Sequence, residues 1–154
     1  MITQKEVELA QTIWGDGIVA IGKAYMNKGN YTGIAKKHVE NLYGYQDGLV
    51  LFKPTKVSKK QFRQTFESAL SYFIGDNPDF PNDKGFALNP WTKVRFENSG
   101  FILKENYALA MGNYFFTDLQ GHETKVEYTF GYYRDKDENL RIHLHHSSLP
   151  YKSA

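Results

Sequence analysis

Thr124-Lys125-Val126-Glu127-Tyr128-Thr129-Phe130-Gly131-Tyr132-Tyr133-Arg134 and, after the polar segment Asp135-Lys136-Asp137-Glu138-Asn139, Leu140-Arg141-Ile142-His143-Leu144-His145-His146-Ser147-Ser148 read as two strands around a hairpin turn. β-Branched and aromatic residues fill both runs, and such residues suit a pleated, half-buried surface. Working outward, the spacing predicts further strands at 91–98, 101–104 and 107–118, with Gln120-Gly121 as another turn. The texture upstream is different. Thr3-Gln4-Lys5-Glu6 forms a capping box, and Val7, Ala10, Ile13, Trp14, Ile18, Ile21, Ala24 and Tyr25 recur at helical spacing behind it. A second helix is expected over Thr32–Leu42, ending near Gly44, and a strand over Leu49–Lys53, stopped by Pro54. Ser58-Lys59-Lys60-Gln61 repeats a capping-box pattern. It predicts a helix carrying Phe62, Phe66, Ala69 and Phe73 on one stripe and closed by Gly75.

Helices first and antiparallel strands afterwards imply an α+β fold rather than a parallel α/β sheet. A curved sheet wrapped around amphipathic helices leaves a conical cavity between the two layers. The last strand is placed to line it.

Composition sets the bounds. At 154 residues the chain is expected to form one domain over 1–154, with roughly 70% of its unfolded surface buried. Aromatic residues make up 16%, which suits a β-rich core and an aromatic-lined pocket. A formal charge of +2 gives no footprint for nucleic acid or membrane, and neither is expected as a partner. There is no cysteine, which excludes disulfides, thiol nucleophiles and thiolate-bound zinc. No apolar run approaches the roughly 18 residues of a membrane span, and the N-terminus has no signal-peptide core, so a cytoplasmic location is expected.

Three of the five histidines lie within four residues of the last strand. Strict alternation puts Arg141, His143, His145 and Ser147 on one face and Ile142, Leu144, His146 and Ser148 on the other. Two imidazoles and a hydroxyl in one row look like the wall of a small polar site. Arg141 is expected to pair with a carboxylate on a neighbouring strand, such as Glu127. His143 and His145 have the spacing of two strand-borne metal ligands. A third would come from His38, His122, Glu127 or another carboxylate, and no spacing singles one out.

The order of elements resembles the cystatin-like cone of the nuclear-transport-factor-like superfamily, and within it the group related to the association domain of calcium/calmodulin-dependent kinase II. Three passages are similar to the iota-class carbonic anhydrases: Leu51-Phe52-Lys53-Pro54-Thr55, Ala69-Leu70-Ser71-Tyr72-Phe73 and His143-Leu144-His145-His146-Ser147-Ser148-Leu149-Pro150. The Phe80-Pro81 loop and the strand Tyr128–Tyr132 fall in the same order, while Leu144 interrupts the family's triple-histidine pattern.

The resemblance implies a cystatin-like cone, with N-terminal helices packed on a curved, mainly antiparallel sheet. It also implies reversible hydration of carbon dioxide to bicarbonate without a metal cofactor. By position it assigns Thr55, Tyr72, His145 and Ser147 to catalysis, with Thr55, Tyr72 and Ser147 also binding substrate. A homodimer is expected, since relatives of this fold pair their sheets. Zinc or manganese near His143 and His145 is the alternative to a metal-free site. Read by its own position, Tyr72 is a core-edge tyrosine, one of eleven, and Thr55 after Pro54 is a turn residue.

Without metal, His145 is the proton acceptor or shuttle. Tyr72 donates to a bicarbonate oxygen or, with a lowered pKa, accepts a proton. Ser147 and Thr55 orient water and donate to developing oxyanion charge. Two rival readings are a noncatalytic assembly or small-ligand-binding module, and another lyase or isomerase using His145 as base.

Overall fold

The structure, a computed structural model, describes residues 1–153. Three helices, α1 (Gln4–Met26), α2 (Tyr31–Leu42) and α3 (Phe66–Ile74), accompany five strands: β1 (Leu51–Lys53), β2 (Lys93–Leu103), β3 (Tyr107–Thr117), β4 (Glu123–Arg134) and β5 (Leu140–Ser148). The sheet order is β1-β5-β4-β3-β2, antiparallel except where β1 runs parallel to β5. This is the expected α+β architecture.

The α1 cap forms as expected, with the Glu6 amide donating to Thr3 Oγ1 at 3.2 Å and the Thr3 amide to Glu6 Oε2 at 2.8 Å. Burial of Val7, Trp14, Ile18 and Ile21 along one stripe then anchors the helix on the concave face of the sheet. Each such aliphatic side chain contributes about 1.5–3 kcal/mol. Gly15 and Gly17 let α1 approach its neighbours: a Cβ at Gly15 would press on Val94 of β2, and one at Gly17 would collide with the His38 ring of α2. The sheet answers with alternating buried residues: Ala108, Ala110, Tyr114 and Phe116 on β3, and Val126, Tyr128, Phe130 and Tyr132 on β4.

Three expectations are corrected. The expected strands 91–98 and 101–104 are one strand with a bulge between Asn98 and Gly100. The Ser58 box starts no helix. Residues 58–64 are irregular, Lys60 has φ 47°, and α3 begins at Phe66 under a capping box made by Thr65 and Ser68. Tertiary pairing overrides the local signal there: the Arg63 amide donates to Phe52 O at 2.7 Å, and its guanidinium is buried against Asp83. Phe62, placed on the buried stripe by spacing, is 69% exposed.

The third correction concerns β5. Tyr132 pairs with Ile142 and Gly131 with Leu144, so His143 is the extra residue of a β-bulge. The bulge resets the alternation. Ile142, His145 and Ser147 are buried inward, while His143 and Leu144 lie together over Gly131, and His143 stacks on Tyr133 at 5.1 Å. The expected row from Arg141 to Ser147 is therefore broken. Arg141 bonds Asp135 at 2.5 Å and caps the Glu40 and Asn41 carbonyls at the end of α2; Glu127 instead accepts from Ser148.

Candidate active site

A small cavity of about 10 Å³ lies between α1, α3 and the ends of β1, β3 and β5. Its wall includes Trp14, Phe52, Thr55, Tyr72, Phe86, Tyr114, His145 and Ser147, and no charged residue. A space of that size is on the scale of a single water. The structure brings together all four site residues expected from sequence. Thr55 arrives just past β1, held beside β5 by the parallel pairing of Phe52 with His145. Tyr72 comes from the inner face of α3, and His145 and Ser147 come from β5 beyond the bulge.

Hydrogen bonds link these groups into a chain. Thr55 Oγ1 and Ser147 Oγ are 2.5 Å apart. Tyr114 donates to Ser147 Oγ at 2.5 Å and lies 3.1 Å from His145 Nε2, while Tyr43 OH lies 2.8 Å from His145 Nδ1. The Trp14 indole donates to Tyr43 OH at 3.0 Å. An indole N–H can only donate, so Tyr43 accepts it and directs its own proton to the one acceptor in reach, Nδ1. That places the His145 proton on Nε2, facing Tyr114. The chain then runs one way, Trp14 to Tyr43 to His145 to Tyr114 to Ser147, with its proton-donating end at the cavity. Tyr72 OH accepts the Lys56 amide at 3.1 Å, which leaves its proton free for a guest, and Thr55 lies against both Tyr72 and Tyr114.

Burial decides the protonation states. His145 stacks on Phe52 at 4.7 Å and packs on Phe130 at 4.2 Å. Loss of solvent holds its pKa well below the usual imidazole value, with His146 and His38 pushing the same way, so the ring is neutral. Desolvation raises the Tyr72 phenol to about 12 and pushes Tyr43 and Tyr114 upward as well. A phenol with a raised pKa keeps its proton, which favours donation over the alternative role as a proton acceptor.

Sequence reasoning missed Tyr114, Tyr43 and Trp14. Tyr114 sits two strands from Ser147, about 9.6 Å across a flat sheet. Only the curvature of the sheet and the length of the phenol close that gap. A usable signal was alternation: Tyr114 shares the inward face of β3 with Ala110 and Phe116. The bulge separates His143 from His145, and among the described residues no three His, Cys, Asp or Glu side chains converge. The pair expected as metal ligands thus points to opposite sides of the sheet.

A curved α+β cone enclosing an uncharged ring of hydroxyls around one neutral imidazole defines a class of small-molecule site, and known proteins share the fold. The structure matches the crystal structure of a cyanobacterial iota-carbonic anhydrase complexed with bicarbonate with TM-score 0.96 and 46% identity, covering 99% of this chain and 94% of that one. A calcium/calmodulin-dependent kinase II association domain from Xanthomonas campestris shares the fold, with TM-score 0.67 and 22% identity over 99% of this chain and 91% of that one. In sequence, the metal-independent carbonic anhydrase of Nostoc sp. is 47% identical over 98% of this chain and 75% of that protein. The family model for metal-independent carbonic anhydrase matches residues 5–149. The chain belongs to the metal-independent carbonic anhydrases.

Proposed function

We propose that the cavity around Ser147 is where this carbonic anhydrase interconverts carbon dioxide and bicarbonate, with Thr55, Tyr72, His145 and Ser147 as its working groups. One observation carries the reading: a directed hydrogen-bond chain ends in a small, largely aromatic pocket whose lining carries no charge. A linear, nonpolar substrate suits such a pocket, because an apolar wall competes poorly for water and costs the guest no hydration. Phe52, Phe73 and Phe86 supply that wall.

The reaction joins a water oxygen to the carbon of carbon dioxide and releases one proton and bicarbonate. In this reading Thr55 and Ser147 hold the water, and Tyr72 donates to the oxygen that gains negative charge. As oriented, the chain presents Ser147 as a donor to the oxygen that gains charge; His145, protonated at Nε2, holds that orientation, and the proton released by the water passes to solvent. General-base help is worth about 10²–10⁴-fold at best, so positioning carries much of the rate and turnover is slower than at a zinc-bound hydroxide.

The same reading takes residues 1–154 as one domain acting in the cytoplasm as a homodimer, with carbon dioxide and bicarbonate as its partners and no metal. Among the described residues no helix is long and apolar enough to cross a membrane. Light scattering on eluted protein tests the dimer; a monomer mass would remove it. The test of the activity is stopped-flow hydration of carbon dioxide on chelator-stripped protein, with metal content assayed on the same sample. Full activity without metal is expected. Activity lost on stripping and restored by zinc or manganese would overturn the metal-free mechanism, and no activity in either state would leave a binding module.

A further inference from the structure

The reaction creates an anion in a chamber whose lining carries no charge; Lys53 Nζ donates to the Ser147 carbonyl at 3.0 Å but does not line the space. None of the residues lining the inner cavity is charged, and His145 is held neutral. Leaving a monoanion in such a place is costly, because a desolvated charge needs a partner. Next to the chamber, behind the shared residues Tyr72 and Phe86, lies a second pocket of about 160 Å³. The rings of Tyr72 and Phe86 stack at 5.6 Å and 17° and form the partition between the two spaces. The outer pocket is lined by Lys56 and Lys84, with Asn82 and Asn89 as further donors and Trp91 on its wall. Its one carboxylate, Asp83, is already neutralised by a bidentate ion pair with Arg63 and a hydrogen bond from Ser71. Two lysines therefore remain uncompensated.

We propose that this outer pocket is a binding site for small monoanions, the station that receives bicarbonate from the neutral chamber and delivers it in the reverse direction. The proposal rests on the carbonic anhydrase reading for the identity of its anion, but the site itself is testable without turnover. The division of labour is electrostatic: the inner space selects an uncharged guest, and the outer one attracts a charged one. Tyr72 belongs to both, with its ring in the partition and its hydroxyl held by the amide of Lys56. Exchange between the two spaces requires a small swing of the Tyr72–Phe86 stack.

Trp91 reports on the site, since it lines the outer pocket while Trp14 lies deep in the core at 1% exposure. Fluorescence quenching by iodide, an anion, is compared with quenching by neutral acrylamide. In the Lys56→Met/Lys84→Met double variant the iodide constant is expected to fall by about threefold or more, the size of losing two nearby charges, with the acrylamide constant unchanged. In the unmodified protein, bicarbonate is expected to protect against iodide. Equal iodide quenching in variant and parent, or no protection by bicarbonate, would overturn the proposal. Carbon dioxide hydration measured on the same samples separates the two ideas: intact anion binding with no hydration would sink the catalytic reading and leave the site standing.

Discussion

Two buried polar regions lie side by side in this molecule, and they handle charge in opposite ways. Around Arg63 and Asp83, side-chain exposures of 2% and 3% accompany a full ion pair at 2.7 and 2.8 Å, completed by the carbonyls of Lys60 and Ser68 and the hydroxyl of Ser71. Around His145, equally deep, the side chains that line the cavity carry no charge. The first region fastens two loops: Arg63 ends the segment that carries Thr55, and Asp83 belongs to the segment after α3. The second must admit a nonpolar guest. A buried ion is tolerable only with all its partners in place, so the chain confines ions to the fastening and excludes them from the chamber.

Substitutions can break this contrast. Asp83→Asn leaves the Arg63 guanidinium buried and unpaired, with an expected cost of about 3–5 kcal/mol in chemical denaturation and a parallel loss of activity as the Thr55 segment loosens. An unchanged midpoint would mean that the pair fastens nothing.

Acid should expose the neutral region. Burial takes His38 from 6.5 to about 4 and moves His145 in the same direction. Both rings bind protons more tightly in the unfolded chain, so stability is full above about pH 6.5 and declines as pH falls toward 4. His38 alone accounts for roughly 3 kcal/mol of that decline. Denaturation midpoints at pH 7.5, 6 and 5 measure the slope, and His38→Leu should flatten it. Equal slopes in the two proteins would show that His38 is not held neutral.

Within the chamber, Tyr72→Phe and Ser147→Ala each remove a hydroxyl with little change of shape. Each should lower hydration at least tenfold, about 1.4 kcal/mol of transition-state stabilisation, while circular dichroism stays constant. Full activity in both variants would place the chemistry elsewhere. The smallest effect is expected at His143, which faces away from the cavity beyond the bulge: His143→Ala should change hydration less than about twofold. A large loss there would revive the metal alternative.

Much of the architecture was legible in the residues because it rests on local signals. The Thr3 box, the apolar stripe of α1 and the alternation along β3 and β4 are each set within a few turns or a few pleats. The Ser58 box shows the limit. Its local signal for a helix is sound, but the burial of Arg63 against Asp83, twenty residues away, outweighs about 1 kcal/mol of capping. The family's motifs pointed to Thr55, Tyr72, His145 and Ser147, and the fold gathers all four into one cavity. Nothing local could show that His143 would be squeezed out of register, because a bulge is a property of two paired strands. Alternation marked Tyr114 as inward-facing, but that it meets Tyr43 and Trp14 at the site was not legible for a related reason, since the three arrive from separate elements.

By itself, then, the sequence determined the order of helices and strands, the face each one buries and the family to which the chain belongs, all encoded in periodicity and short motifs. The tertiary structure alone decided which way His143 points, which tautomer His145 adopts and why the chamber stays neutral. Those outcomes depend on distances between strands and helices far apart in the chain, and on the loss of water that occurs only when they close around one another.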